Sequence, residues 1–141
     1  MSEFIVNSVD TCIPYVKNEL EYLSKFGINE LEEIHKAKEL PLGEFKNILR
    51  HYLELACTCQ NIGNITIGRY CIQKMPRRLV IQHVEECAAT LLEANDEWIY
   101  RRLLELYSTI DSDLMARLVK FCLMHQNAEI NCLGKEFIVN E

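Results

Sequence analysis

Apolar residues recur every three to four positions along almost the whole chain, the spacing that sets one face of an α-helix against a core. No run alternates with period two for long enough to make a strand. Val16, Leu20, Leu23 and Phe26 form the first face, with Asp10 and Thr11 as caps, Pro14 in the opening turn and Gly27 as the stop. A short helix carrying Leu31 and Ile34 follows, capped by Asn29, with Glu30, Glu32 and Glu33 in a first turn where the helix dipole favours acids. Pro41 and Gly43 break it. Phe45, Ile48, Leu49, Tyr52, Leu53 and Ala56 then mark a stronger amphipathic helix from Glu44 onward.

Asn61-Ile62-Gly63-Asn64 reads as a turn and as an internal seam, after which the pattern repeats itself. Ile67-Gly68-Arg69-Tyr70-Cys71-Ile72 matches Tyr100-Arg101-Arg102-Leu103-Leu104-Glu105 and then Leu133-Gly134-Lys135-Glu136-Phe137-Ile138, each thirty-three residues on, with a basic residue at the third place. The predicted helix pairs are Ile65–Met75 with Arg77–Leu92, reversing at Pro76, and Asp96–Ile110 with Asp113–His125, reversing at Asp111-Ser112. A last helix from Ala128 opens an incomplete third unit. Val80, Ile81, Val84 and Cys87 correspond to Leu114, Met115, Leu118 and Phe121 in the second helices. A helical period of this length is the mark of stacked helix pairs, which bury their apolar stripes on one another and leave an extended face for a partner. The expectation is one all-α domain over residues 1–141, with N-terminal helices over 1–60 and repeats over 61–141. It would hold about eight helices in a short right-handed helical-hairpin solenoid.

Composition narrows the class of partner. Hydrophobic residues make up 49% of the chain and charged residues 26%, the balance of a globular domain and not of a disordered one. With 15 basic and 21 acidic residues the net charge is −6, which disfavours nucleic-acid phosphates and suits a cationic partner; modest acidity also serves solubility alone. Seven cysteines, an odd number lying mostly on apolar stripes, point to free thiols packed as small core residues in a reducing cytosol. No signal-peptide pattern and no apolar run of membrane-spanning length is visible, so a cytoplasmic location is expected and no membrane partner.

The chemistry-bearing residues do not assemble into a catalytic motif. Cys57-Thr58-Cys59 lacks two further ligands at matching spacing, and His51 stands six residues before Cys57, so no metal site is expected; Cys57 reads as core and Cys59 as partly exposed. His83 and Glu86 can pair on one helix face as a modest stabiliser. No phosphate cradle or serine-nucleophile motif occurs. The chain is therefore read as a non-enzyme with no cofactor and no small-molecule substrate. Arg77-Arg78 and Arg101-Arg102 could touch phosphates, yet Arg101 and Arg102 lie within reach of Asp96, Glu97 or Glu105 for local pairing. Five acids (Glu85, Glu86, Glu93, Asp96 and Glu97) and no base lie between positions 85 and 97. They span a second helix, a turn and the next first helix, which share one edge of a solenoid. Such an edge is either a binding patch for a basic partner or a solvated edge with acids at a helix N-terminus. Trp98, the one tryptophan, fits a core stripe with Ile99, Leu103, Leu106 and Ile110, and is also an interface candidate because it adjoins the acidic turn.

The segment from Asn61-Ile62-Gly63-Asn64 through Ile67-Gly68-Arg69 to the run Asp96–Leu106 resembles small bacterial HEAT-like helical-repeat proteins. Several short, acidic members of that group are immunity proteins, encoded beside polymorphic or contact-dependent toxins whose nuclease domains they neutralise. The resemblance covers about Asn61 to Phe137 and carries no catalytic or binding signature across. It implies a stoichiometric inhibitor whose acidic surface, with Glu85, Glu86, Glu93, Asp96, Glu97 and Trp98 as the contact residues, docks on a cationic cognate toxin domain. The alternatives are a helical-repeat adaptor or scaffold that binds a peptide or protein, and a nucleic-acid-binding helical repeat.

Overall fold

The computed structural model describes residues 13–139, with side chains from 16 to 138. Eight helical segments follow one another among them. They are α1 (Ile13–Ser24), a 3-10 helix (Leu31–Glu39), α2 (Leu42–Thr58), α3 (Ile62–Lys74), α4 (Arg77–Leu92), α5 (Glu97–Ile110), α6 (Ser112–Leu123) and α7 (Ala128–Val139). The described residues contain no strand. The fold is all-α, and its helical-hairpin packing is that of a helical-repeat solenoid. Asp10 and Thr11, expected to cap the first helix, lie outside the described residues.

Polar ties carry the repeat into space. Arg69 on α3 donates to Glu105 on α5, Gln73 to Thr109 at 2.9 Å, and Arg77 to the Ile110 carbonyl at 2.6 Å. Arg101 on α5 meets Glu136 on α7 at 2.8 Å, and Arg117 on α6 grips Glu85 on α4 through two bonds of 3.0 Å. Apart from Arg77, which joins the start of α4 to the end of α5, these ties link residues 32 to 36 positions apart, first helix to first helix and second to second.

The helix ends follow their sequence signals closely. Gly27 takes φ +78 after α1. The Ile28 N–H returns to the Leu23 carbonyl at 3.2 Å and the Gly27 N–H to that of Ser24 at 3.1 Å. That is a Schellman stop, with buried Leu23 and Ile28 as its apolar contact. Asn61 and Asp111 cap α3 and α6, their side chains accepting from Gly63 and Asn64, and from Asp113 and Leu114. Asn61 to Asn64 is thus a cap and the first turn of a helix, and α3 starts three residues before the expected Ile65. Gly43 likewise lies inside α2, which begins directly after Pro41.

The short helix differs in kind from the expectation. It is a 3-10 helix of nine residues whose buried side chains, Leu31, Ile34 and Ala37, fall at intervals of three. Three residues per turn place those positions directly above one another, and this face packs on α3. The extended residue before it is Glu30, which makes no side-chain cap bond, so Asn29 is not its cap.

A single buried cluster runs from Leu23 to Leu133 and crosses position 61 without a break. Helix α2 packs most extensively on α3 and also meets α4 and α5; α6 and α7 form the next closest pair. The expected hairpin of α3 with α4 is splayed, since each packs far more on α2 than on the other. Glycine explains the tight pairs. At Gly68 an added Cβ would meet the Ala56 nitrogen at 2.6 Å, and at Gly134 it would meet the Leu123 side chain at 2.9 Å. The equivalent position in α5 is Arg101. In the second helices Val80, Val84 and Cys87 are buried with Leu114, Met115 and Leu118, but Phe121 is 54% exposed and buried Cys122 takes the inward place.

Candidate functional site

The turn between α4 and α5 is built from the residues that the acidic segment singled out. Glu93 closes α4, and Asn95 takes a left-handed conformation, φ 53, which asparagine tolerates better than most residues. His125 holds this turn to the end of α6. Its Nδ1 accepts the Asn127 N–H at 3.0 Å, leaving Nε2 to donate to Asn95 Oδ1 at 3.0 Å. Asp96 then caps α5, its carboxylate accepting the Trp98 N–H at 2.8 Å. Glu97 opens the helix.

The five acids divide into two groups. Glu85 is neutralised by Arg117 at 3.0 Å and Glu86 by Lys46 of α2 at 2.9 Å. The lysine beside Glu86 holds its carboxyl below the usual range. Their sequence neighbourhood holds no base, but other helices bring two. His83, expected to pair with Glu86, sits edge-on to Phe45 instead, with centroids 6.4 Å apart. Glu93, Asp96 and Glu97 form no ion pair among the described residues. Desolvation and the facing Glu129 carboxylate at the start of α7 push the Glu97 carboxyl up. Two like charges brought together in this way leave a local negative field that an incoming cation would relieve.

Trp98 stands beside that field and is 58% exposed, so the core reading of this residue is overturned. At the second position of α5 its side chain falls outside the stripe formed by Leu103, Leu106 and Ile110, which are buried with Tyr100. The Arg101 guanidinium lies 5.7 Å from the centre of the indole ring. On one side of Trp98 a cleft of about 240 Å³ opens between the end of α2 and the start of α5. Nearby, between α5 and α7, a depression of about 250 Å³ is lined by Glu97, Arg101, Glu129 and Glu136.

Local pairing of the basic doublet does not occur. Arg101 reaches across to Glu136, and Glu105 is taken by Arg69. Buried Arg69 keeps its Nε without a partner. Arg102 has neither ion pair nor hydrogen bond among the described residues, and it lines the cleft beside Trp98.

One further cluster was not foreseen. Glu19 on α1 is buried and holds His51 of α2 through a 2.6 Å contact, with Tyr22 stacked on the imidazole at 4.0 Å. The Tyr52 hydroxyl is buried beside Glu19 and Cys71 without hydrogen-bond geometry to either. The available signal was a carboxylate among the apolar positions of the first helix. Cys57, Cys71, Cys87 and Cys122 are buried free thiols; burial pushes Cys57 up to about 12 and Cys122 to about 11, far from a nucleophile at neutral pH. Cys59 is half-buried and Cys132 exposed.

Among the described residues no three His, Cys, Asp or Glu side chains are placed to hold a metal ion, and no helix is long and apolar enough to cross a membrane. No family model, curated protein or solved structure matches the chain.

Proposed function

We propose that this chain is a cytoplasmic immunity protein that acts by binding and not by catalysis, neutralising a cognate cationic toxin domain, in keeping with the nuclease targets of the proteins it resembles. The observation that carries the reading is the pairing of an exposed indole with unneutralised carboxylates. Trp98 projects from a capped helix start beside Glu93, Asp96 and Glu97, and Glu129 adds to the same field. Aromatic side chains ringed by charge are what protein interfaces use to anchor and steer a partner. Glu85 and Glu86, already neutralised, would serve at the margin by exchanging partners.

A second reading, an adaptor for an apolar peptide, is favoured by the C-terminal end of α6 and its cap. Phe121 and Met124 are 54% and 75% exposed there. The two readings separate by salt dependence, since only steering by charge weakens as ions screen it.

The proposal expects the adjacent gene to encode a large secreted polypeptide with a variable C-terminal domain, and the test is co-expression with that domain, scored by cell survival. Survival that depends on this chain supports the proposal. Death at the same rate with or without it, both proteins being present, rejects it.

A further inference from the structure

Arg102 is a cation kept at the wall of a cleft without a counter-ion among the described residues. Glu105, the one acid three or four residues from it, accepts from Arg69 instead. Asp96 shares the cleft and caps α5 through the Trp98 N–H but makes no ion pair with Arg102, so its charge is a repulsion that the fork on Arg102 must outweigh. The remaining walls are Ile99, Trp98 and the last residues of α2, including Cys57 and Cys59. A half-buried guanidinium beside an exposed indole offers a forked donor for a planar anion and an apolar wall for the stem that carries it.

We propose that this cleft receives one acidic side chain, glutamate or aspartate, from the protein partner, its carboxylate forked on Arg102 and its methylene stem against Trp98. The proposal rests on the reading of the chain as a protein-binding module and deepens it. The acidic turn of Glu93, Glu97 and Glu129 takes cations of the partner, while the cleft takes an acid. Opposite charges at two fixed points set the register of the complex and reject partners that are merely basic. A cleft of about 240 Å³ has room for such a side chain.

Trp98, the one tryptophan of the chain, is the reporter. The isolated protein is titrated with N-acetyl-Leu-Glu-Leu-amide and with the matched glutamine peptide, followed by indole fluorescence and by the indole N–H resonance. The glutamate peptide should give a saturable change, and the glutamine peptide should bind about tenfold more weakly, the factor expected for one charge-assisted bond. Arg102→Gln should lose the preference with an unchanged melting curve. Arg102→Lys, which keeps the charge but not the fork, should retain part of it. Equal binding of the two peptides overturns the proposal, as does a preference that survives in Arg102→Gln. Inorganic phosphate bound as well as the glutamate peptide also overturns it, by making the cleft a general anion site. Because no partner is present in the titration, a preference for glutamate without rescue in co-expression would keep the cleft and reject the immunity reading.

Discussion

Gly68 on α3 and Ala56 on α2 stand so close that a Cβ on Gly68 would lie 2.6 Å from the Ala56 amide nitrogen and 2.8 Å from the Tyr52 carbonyl oxygen. Both obstacles are backbone, which cannot rotate aside. This contact brings α2 and α3 into the closest helix pairing of the fold and seats the central helix on which α4 and α5 also pack.

Gly68→Ala should therefore destabilise the chain by about 2 kcal/mol, overpacking outweighing the roughly 1 kcal/mol that alanine gains in helix propensity. Gly134→Ala should cost less, because its obstacles stand further off, Leu123 Cγ at 2.9 Å and Leu123 Cδ2 and the Leu123 amide nitrogen at 3.0 Å, and two of the three belong to a side chain. Urea unfolding of the two variants checks the order. Equal midpoints would place the backbone approach of α2 and α3 in error.

The tie between Arg69 and Glu105 makes a second test. Arg69 is 8% exposed and its Nε already lacks a partner, so Glu105→Ala leaves a buried guanidinium poorly compensated. A loss on the order of 2 kcal/mol is expected. Arg69→Met, which fills similar space without charge, should cost less, and the double variant should recover most of what Glu105→Ala loses. Strict additivity of the two changes would show that they are not coupled.

The pH dependence separates the two groups of acids. Glu97 titrates above its ordinary value because of desolvation and Glu129, so folding disfavours its ionised form. The penalty grows as pH rises from the ordinary pKa of 4.5 through the folded value, and is absent at lower pH. Glu97→Gln should raise the melting temperature near pH 7 and match the parent at about pH 3. Glu86, held low first by its bond to Lys46, stabilises above the ordinary pKa, and that gain is lost as pH falls through the folded value. Glu86→Gln should lower the melting temperature near pH 7, by an amount that shrinks as pH falls toward about 3. Melting curves at both pH values read the opposite signs.

The helical class, the thirty-three-residue step and most helix ends were legible in the chain because caps and apolar spacing are local signals. The meaning of the repeat was less so. Arg69, Arg102 and Lys135 mark its third place, yet the neighbouring Gly68 and Gly134 create the two closest pairs. A glycine shows where backbones touch only once the facing helix is known. Leu31, Ile34 and Ala37 recur at strict threes, a period that over three positions is hard to tell from the α-helical one. At the candidate site, proximity in sequence suggested that Arg101 and Arg102 pair locally and that no lysine or arginine meets Glu85 or Glu86. Long side chains reached other helices instead, as in Arg101–Glu136, Arg117–Glu85 and Lys46–Glu86. The exposure of Trp98 turns on a single helical position, which apolar content alone does not resolve.

The association rate of the toxin domain with this chain tests the docking surface most directly, read in stopped flow from Trp98 fluorescence. With Glu93, Glu97 and Glu129 all changed to Lys, the account predicts association slowed about tenfold or more at low salt, dissociation little altered, and the difference shrinking as salt is added. Association as fast as that of the parent at every salt concentration would contradict it.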